Sequence, residues 1–489
     1  MPSRIIVVSN AGPAKFNQSG DATLSAGGVV TALSGLGSVM GGFTWVQAPA
    51  TPAEFGMAAR GNSTSLGQIR VVLGKLSPEQ RAALYTRISN GILVHCALYQ
   101  EALARPMLSE LGGSWDRTWN LFTEGSQAMV QAALEQVLST SRGTKFGIFF
   151  EDYQMVLTPG LARRLLEEHG RDQDVSLQMH IHTTWAGPSH WNVLPAAARA
   201  DIARGMLGAD TLGFHSQRDA RNFADCVKQW LPSEARVSGN TVWFSNHTVT
   251  LIANPIGIDT REMTSRLASP GGSDAIAQIE RKIDGRPHVF AGIGRTDPTK
   301  KLDVLLRAFD LYLRNNPERV SASVLLLHLT ESRLDVPVYK QHNELLKRLV
   351  KEINQRYRAQ AGGRDVVEAY YASDPYLHFG LYARYTVLAV PSERDGFALT
   401  AVEGPWVNQR DGVLILSTGT GAYELLADSA LRFEPGRSLD DEVEQLARLL
   451  QQGSEMPQRE RANRQKRLRN TIQRHNLAAW LKRRLSVTR

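Results

Sequence analysis

Short apolar runs alternate with amphipathic stretches along the whole chain. Ile5–Ser9, Val71–Leu73, Phe146–Phe150, Leu177–His182, Thr211–Phe214, Val289–Ile293, Ser323–Leu327, Val387–Val390 and Val413–Ser417 each have the length and content of a strand. The segments between them carry apolar residues at helical spacing. This alternation predicts an α/β fold with open parallel sheets covered on both faces. At 489 residues the chain exceeds one ordinary core, so two domains of roughly 200–250 residues are expected. Asn254-Pro-Ile-Gly-Ile-Asp259 is the best linker, followed by a polar Pro/Gly-containing stretch, Ser269–Ser273. The expected division is 1–255, 256–465, and a last helical segment, 466–489, that crosses back to the first domain. Two facing domains of this kind would form a cleft at the C-terminal ends of their strands, where ligands of such sheets bind.

Composition changes this picture little. The net charge of +8 invites a nucleic-acid reading. Much of the excess, however, lies in the tail from Arg459 to Arg489, where Leu468, Ile472, Leu477, Trp480 and Leu481 recur at helical intervals. That pattern predicts docked helices with a solvated basic face, and no nucleic-acid module accompanies it. Cys96 and Cys226 match no metal or redox spacing and read as small buried residues. The first residues enter a strand at once, without a signal-peptide shape, and no apolar run reaches the roughly 20 residues of a membrane span. A cytoplasmic protein is expected, with small-molecule partners, neither membrane nor nucleic acid, and further copies of itself as the one macromolecular candidate.

Candidate chemistry concentrates in two strand–loop–helix segments. After the apolar run 289–293 comes Arg295-Thr-Asp-Pro-Thr-Lys300, with two cations five residues apart. After 387–390 comes Asp395-Gly-Phe-Ala-Leu-Thr-Ala-Val-Glu403. Cations for a diphosphate, amides of residues 396–399 at a helix start, and carboxylates for a sugar and a ribose suit a nucleoside diphosphate-sugar. The same segments also read as surface charges at helix starts. The phosphate-binding Gly-Lys-Ser/Thr ending and the full dinucleotide glycine fingerprint are both absent. Ser417–Glu424 is a further glycine turn opening a helix. In the first half, Ser25-Ala-Gly27-Gly28 opens a helix, Glu151-Asp152-Tyr153 places acids at a strand end, and His180-Ile-His182 places two histidines on one face. A metal pair is conceivable there, but spacing supplies no third ligand, so no metal is expected.

Together these segments resemble trehalose-6-phosphate synthase and its relatives, retaining glycosyltransferases of the GT-B type. The resemblance runs through Val7-Val-Ser-Asn10, Ser25–Gly28, Glu151-Asp-Tyr153, His182 with Asn192-Val-Leu-Pro195, Leu207–His215, Pro255–Asp259, Gly294–Lys300, Asp395–Glu403 and Leu416-Ser417. It implies two facing Rossmann-like domains, the first binding the acceptor and the second the donor. It also implies that Arg295 and Lys300 bind the donor diphosphate. Asp395, with Gly396 and the amides of Phe397, Ala398 and Leu399, would hold sugar and phosphate, and Glu403 the ribose. Gly27 and Gly28 would close on the diphosphate, His182 would lie near the anomeric carbon, and Asp152 would contact the acceptor. Transfer would proceed with retention, without metal or other cofactor: the departing diphosphate takes the acceptor's proton on the same face, and Arg295 and Lys300 stabilise it.

The acceptor side departs from the family pattern. Ala11 stands where an arginine usually binds the phosphate of glucose 6-phosphate. Tyr85 matches one member of an aromatic pair, but Val94 replaces the usual tryptophan, and His-Asp-Tyr-His becomes Glu151-Asp-Tyr-Gln154. Losing the arginine removes a contact worth about 1.5–3 kcal/mol, although Lys15 or Arg333 could still receive a phosphate. The departures resemble those of antibiotic-pathway relatives. One kind joins a cyclitol to an amine; another places a GDP-activated octose on the sulfur of ergothioneine. The reading is a GDP-sugar donor and an acceptor other than glucose 6-phosphate, with an ordinary trehalose-6-phosphate synthase behind it. A non-catalytic nucleotide-sugar-binding regulator and a nicotinamide dehydrogenase are the rivals from other classes.

Overall fold

A computed structural model describes residues 4–17, 22–24, 28–37, 41–334, 336–371, 374 and 376–487. The chain divides into two compact units, Met1–Ile256 with Leu477–Arg489, and Gly257–Asn476.

The first unit is built on a ten-stranded sheet. Its strands lie in the order Ala235–Ser238, Thr241–Phe244, His247–Ala253, Thr211–Phe214, Val175–His180, Phe146–Glu151, Arg4–Ser9, Phe43–Gln47, Ile69–Leu73 and Ser63–Leu66. The middle of the sheet is parallel, and antiparallel pairs close both edges. Phe146–Glu151 and Val175–His180 are buried along their whole length. That is what a parallel strand covered on both faces requires, and it explains why their sequences run apolar instead of alternating. Chain order reverses between Arg4–Ser9 and Phe146–Glu151, which pair in register from Arg4↔Phe146 to Ser9↔Glu151. The loops carrying Ala11 and Asp152 therefore leave from the switch point of this sheet.

The second unit has a six-stranded, wholly parallel sheet in the order Val367–Tyr370, Ser323–Thr330, His288–Arg295, Val387–Val390, Val413–Ser417, Leu431–Phe433. In chain order this is third, second, first, fourth, fifth, sixth, the doubly wound arrangement. Its switch point lies between His288–Arg295 and Val387–Val390, the two strands that feed the charged loops. Gly292 is needed for packing: a Cβ there would meet Leu305 at 2.5 Å and Leu327 at 2.9 Å.

The polar stretch 269–273 opens a helix: Ser269 caps Pro270–Ile283 by accepting from the Gly272 amide, and Pro270 suits its first turn. The tail is two helices, Gln458–Arg474 in the second unit and Leu477–Ser486 in the first. Trp480 of the last helix is fully buried and donates to the Asn254 carbonyl at 3.2 Å, while Arg483 reaches the Asn254 side chain at 2.7 Å. Among the described residues no helix is long and apolar enough to cross a membrane.

Candidate active site

At the switch point of the second unit, three charged residues from two loops converge. Lys300 and Asp395, 95 residues apart in sequence, form an ion pair. Arg295 ends its strand and donates from Nε and Nη2 to Asp297 Oδ2 at 2.8 and 2.6 Å. Asp297 also accepts from Ser332 on its other oxygen. Burial works to raise the Asp297 carboxyl, but the Arg295 guanidinium and these hydrogen bonds outweigh it and hold the carboxyl below the usual range. The guanidinium stays half-exposed while Asp297 is buried. Arg295 is thus aimed by a carboxylate beneath it, with its remaining N–H groups free of that contact. Sequence reasoning passed over Asp297; its position between the two cations, just before Pro298, was the available signal. Arg333, weighed as a phosphate receiver, donates to the Tyr339 hydroxyl at 3.0 Å.

The second loop differs from expectation in one respect. The helix begins only at Thr400, so Glu403 sits in its first turn and not two turns along. The cause is Ala398, whose φ of +67° interrupts helical geometry. Its amide, expected to face the donor, donates to Asp395 Oδ1 at 3.2 Å. Gly396, Phe397 and Leu399 line the same loop. Asp395 also forms a bridge to Thr420, which brings the glycine turn 417–424 against it. Glu403 accepts from Tyr382 Oη at 2.9 Å; burial raises its carboxyl pKa despite that bond.

In the first unit, the loop after Arg4–Ser9 is braced from below. Ser9 Oγ donates to the Ala11 carbonyl at 2.6 Å and accepts from Trp45 at 2.7 Å. Gln47 bonds both backbone groups of Ala14, and a Cβ at Gly12 would lie 2.1 Å from its Oε1. Ala11 is exposed, and the neighbouring Asn10 Oδ1 is buried without a hydrogen-bond partner. Lys15, the other alternative cation, is exposed on the short strand Ala14–Phe16. Tyr85 lies in a wide i→i+5 helical stretch, Ala82–Leu93, under the Arg81 guanidinium, 4.3 Å from its ring centroid. Val94 is 4% exposed and packs in the apolar core. Gly28 opens the helix Gly28–Ser34, and Gly27 lies outside the described residues.

Asp152 follows the buried strand with φ +72°, and its Oδ1 accepts from the Tyr153 and His182 amides at 3.0 and 3.1 Å. Burial raises its carboxyl pKa. His182 lies two residues past the end of its strand, and its Nε2 sits 2.8 Å from Glu151 Oε2. The fold supplies the third histidine that spacing did not: His215, just beyond the strand Thr211–Phe214. Nitrogens of His180, His182 and His215 all lie within 4.8 Å of one another. His180 Nε2 approaches His215 Nδ1 at 3.5 Å, and His215 Nδ1 accepts from the Ile256 amide at 3.3 Å. Burial, then the charge of His182, lowers the pKa of both His180 and His215, and the Arg484 guanidinium lowers that of His180 further.

The model of glycosyltransferase family 20 matches residues 3–488. The chain belongs to this family. It is therefore a retaining, trehalose-6-phosphate synthase-like enzyme of the GT-B type. A UDP-forming alpha,alpha-trehalose-phosphate synthase of Schizosaccharomyces pombe is 27% identical over 98% of this chain and 88% of its own length. A validamine 7-phosphate valienyltransferase of Streptomyces hygroscopicus subsp. jinggangensis is 29% identical over 75% of this chain and 71% of its own. The solved trehalose-6-phosphate synthase OtsA superposes with a TM-score of 0.81 at 21% identity, covering 99% of this chain and 100% of that one. A Burkholderia xenovorans UDP-forming synthase in complex with glucose-6-phosphate superposes at 0.80 and 19% identity, over 99% of each chain.

Proposed function

We propose that this family 20 enzyme moves a sugar, without metal, from a nucleoside diphosphate-sugar to an acceptor other than glucose 6-phosphate. Arg295 and Lys300 take the donor diphosphate, Asp395 and the 396–399 loop take the sugar, and Glu403 takes the ribose. Lys300 exchanges part of its contact with Asp395 for the leaving phosphate as the C1–O bond breaks. The phosphate then accepts the acceptor's proton, so positioning and charge stabilisation carry the rate.

One observation carries the acceptor half. The loop braced by Ser9 and Gln47 presents Ala11, with no charge, beside an unpartnered Asn10 oxygen. An acceptor-only oxygen suits a hydrogen-bond donor and opposes a phosphate. An unphosphorylated nucleophile is therefore the first choice, of which a small thiol such as ergothioneine with a GDP-octose is the specific form, as part of antibiotic assembly. The valienyltransferase likeness supports a second reading, a GDP-cyclitol joined to an aminocyclitol. GDP is the favoured base, and UDP, printed in the names of the synthase relatives, is its competitor. Calorimetric titration with GDP, UDP, ADP and NAD, repeated on Arg295→Ala, tests the donor half. Tight binding of one nucleoside diphosphate, weakened in the variant, is expected; no nucleotide binding would overturn the reading. Turnover with glucose 6-phosphate equal to that with unphosphorylated acceptors would overturn the acceptor half.

A further inference from the structure

The last helix brings a cation into the centre of the first unit. Arg484 is 2% exposed, and its Nη1 donates to Glu151 Oε1 at 2.6 Å. Its guanidinium carbon lies 4.4 Å from the Phe149 ring centroid and 5.1 Å from that of Trp480. The other oxygen of Glu151, itself 1% exposed, is the one 2.8 Å from His182 Nε2. A carboxylate accepts only, so the proton of this contact belongs to His182 Nε2. In the neutral ring the other nitrogen, Nδ1, is a bare lone pair. It is buried and has no hydrogen-bond partner, and the His182 side chain is 5% exposed. Asp152 holds the His182 backbone in place at the same time. Glu151 and Arg484 pair as opposite charges beside the rings of His180 and His215, whose pKa values burial lowers.

We propose that Glu151 and Arg484 are positioning residues that lock His182 in its Nε2–H tautomer, so that it offers Nδ1 to the substrate as a hydrogen-bond acceptor. The proposal rests on the reading that His182 meets the substrate. It adds what the ring does there: it takes a hydrogen bond from a hydroxyl or thiol group and gives none. No bond is made or broken by the trio, and the proton on Nε2 stays in place through the reaction. Arg484 has a directional part in this. Two donors, Arg484 Nη1 and His182 Nε2, share one carboxylate, one oxygen each. If an amide replaces that carboxylate, the guanidinium keeps the oxygen and the NH2 group turns to His182. The NH2 then donates to Nε2 and drives the imidazole proton to Nδ1, which reverses what the ring offers.

Glu151→Gln is thus a tautomer switch of unchanged size. The test is long-range proton–nitrogen NMR of the full-length chain labelled at histidine, with His182→Gln identifying the resonances. The wild type is expected to carry the proton on Nε2 and Glu151→Gln on Nδ1. Arg484→Lys keeps the charge and is expected to keep the wild-type tautomer, and it guards against a Glu151→Gln chain that does not fold. In turnover of the nucleotide sugar, Glu151→Gln is expected to lower kcat by about 10²–10⁴-fold, as wrong-tautomer substitutions do, with KM for the donor little changed. Arg484→Lys should retain most of kcat. A wild-type proton on Nδ1, or a different tautomer in Arg484→Lys, would overturn the lock. A switched tautomer with unchanged kcat would overturn its role in the reaction. Unchanged turnover in His182→Gln would instead remove the reading that His182 meets substrate, while the family assignment stands.

Discussion

The two strand reversals differ in how their charge is handled. In the second unit each cation already leans on an acid of its own chain, Arg295 on Asp297 and Lys300 on Asp395. In the first unit the loop at Ala11 carries no charge and leaves a buried oxygen unpaired. In the proposed reading, this pre-formed, self-neutralised cluster would receive a diphosphate whatever sugar it carries. The Ala11 loop is defined by what it lacks, and in the proposed reading it would select by leaving wrong ligands uncompensated. In the proposed reading, one reversal would thus serve chemistry common to the family, and the other the choice of acceptor.

The sharpest way to break this contrast is to remove a cation from the charged side. Lys300→Ala and Arg295→Ala are each expected to lower kcat by about 10²–10³-fold. Donor affinity, measured by calorimetry, should fall much less. Wild-type turnover in either variant would place these loops outside the reaction. The reciprocal change adds a cation to the uncharged side. Ala11→Arg offers a phosphate contact of about 1.5–3 kcal/mol. It should lower KM for a sugar 6-phosphate acceptor by about tenfold to a hundredfold. An unaltered acceptor profile would mean that Ala11 does not face the acceptor. The smallest effect concerns stability. With its carboxyl held below the usual range, Asp297 contributes stability that is fully present above the ordinary aspartate pKa. That contribution is lost as pH falls through the lowered folded value. Urea midpoints followed from pH 6 downward should therefore decline less steeply in Asp297→Asn; parallel curves would refute the coupling.

How much of this was legible in the sequence depended on range. The strand runs and the linker near Asn254 were readable because burial on both faces leaves a local apolar signature. The cations at Arg295 and Lys300 were readable because they follow a strand directly. The Lys300–Asp395 pair, the approach of Thr420, and the arrival of His215 beside His180 and His182 were not, since each depends on sheet order. The start of the helix at Thr400 was missed because a left-handed alanine leaves no mark in sequence. The tail teaches the most. Trp480 and Leu481 marked an apolar face, yet Arg484, four residues after Trp480 and on that same face, was assigned to solvent with the other basic residues. Its burial depends on Glu151, 333 residues away, and no local pattern carries that information.

That separation also has a cost in time. At about 5–20 residues per second of synthesis, Glu151 emerges roughly 20–70 s before the arginine that will neutralise it. Throughout that interval the nascent first unit holds a carboxylate at a strand end destined for complete burial, and the entire second unit is made in between. A carboxylate without its cation disfavours burial, so the centre of the first sheet is expected to close only when Arg484 arrives. Chains released a few residues early would be recognisable to a protease by that unfinished core.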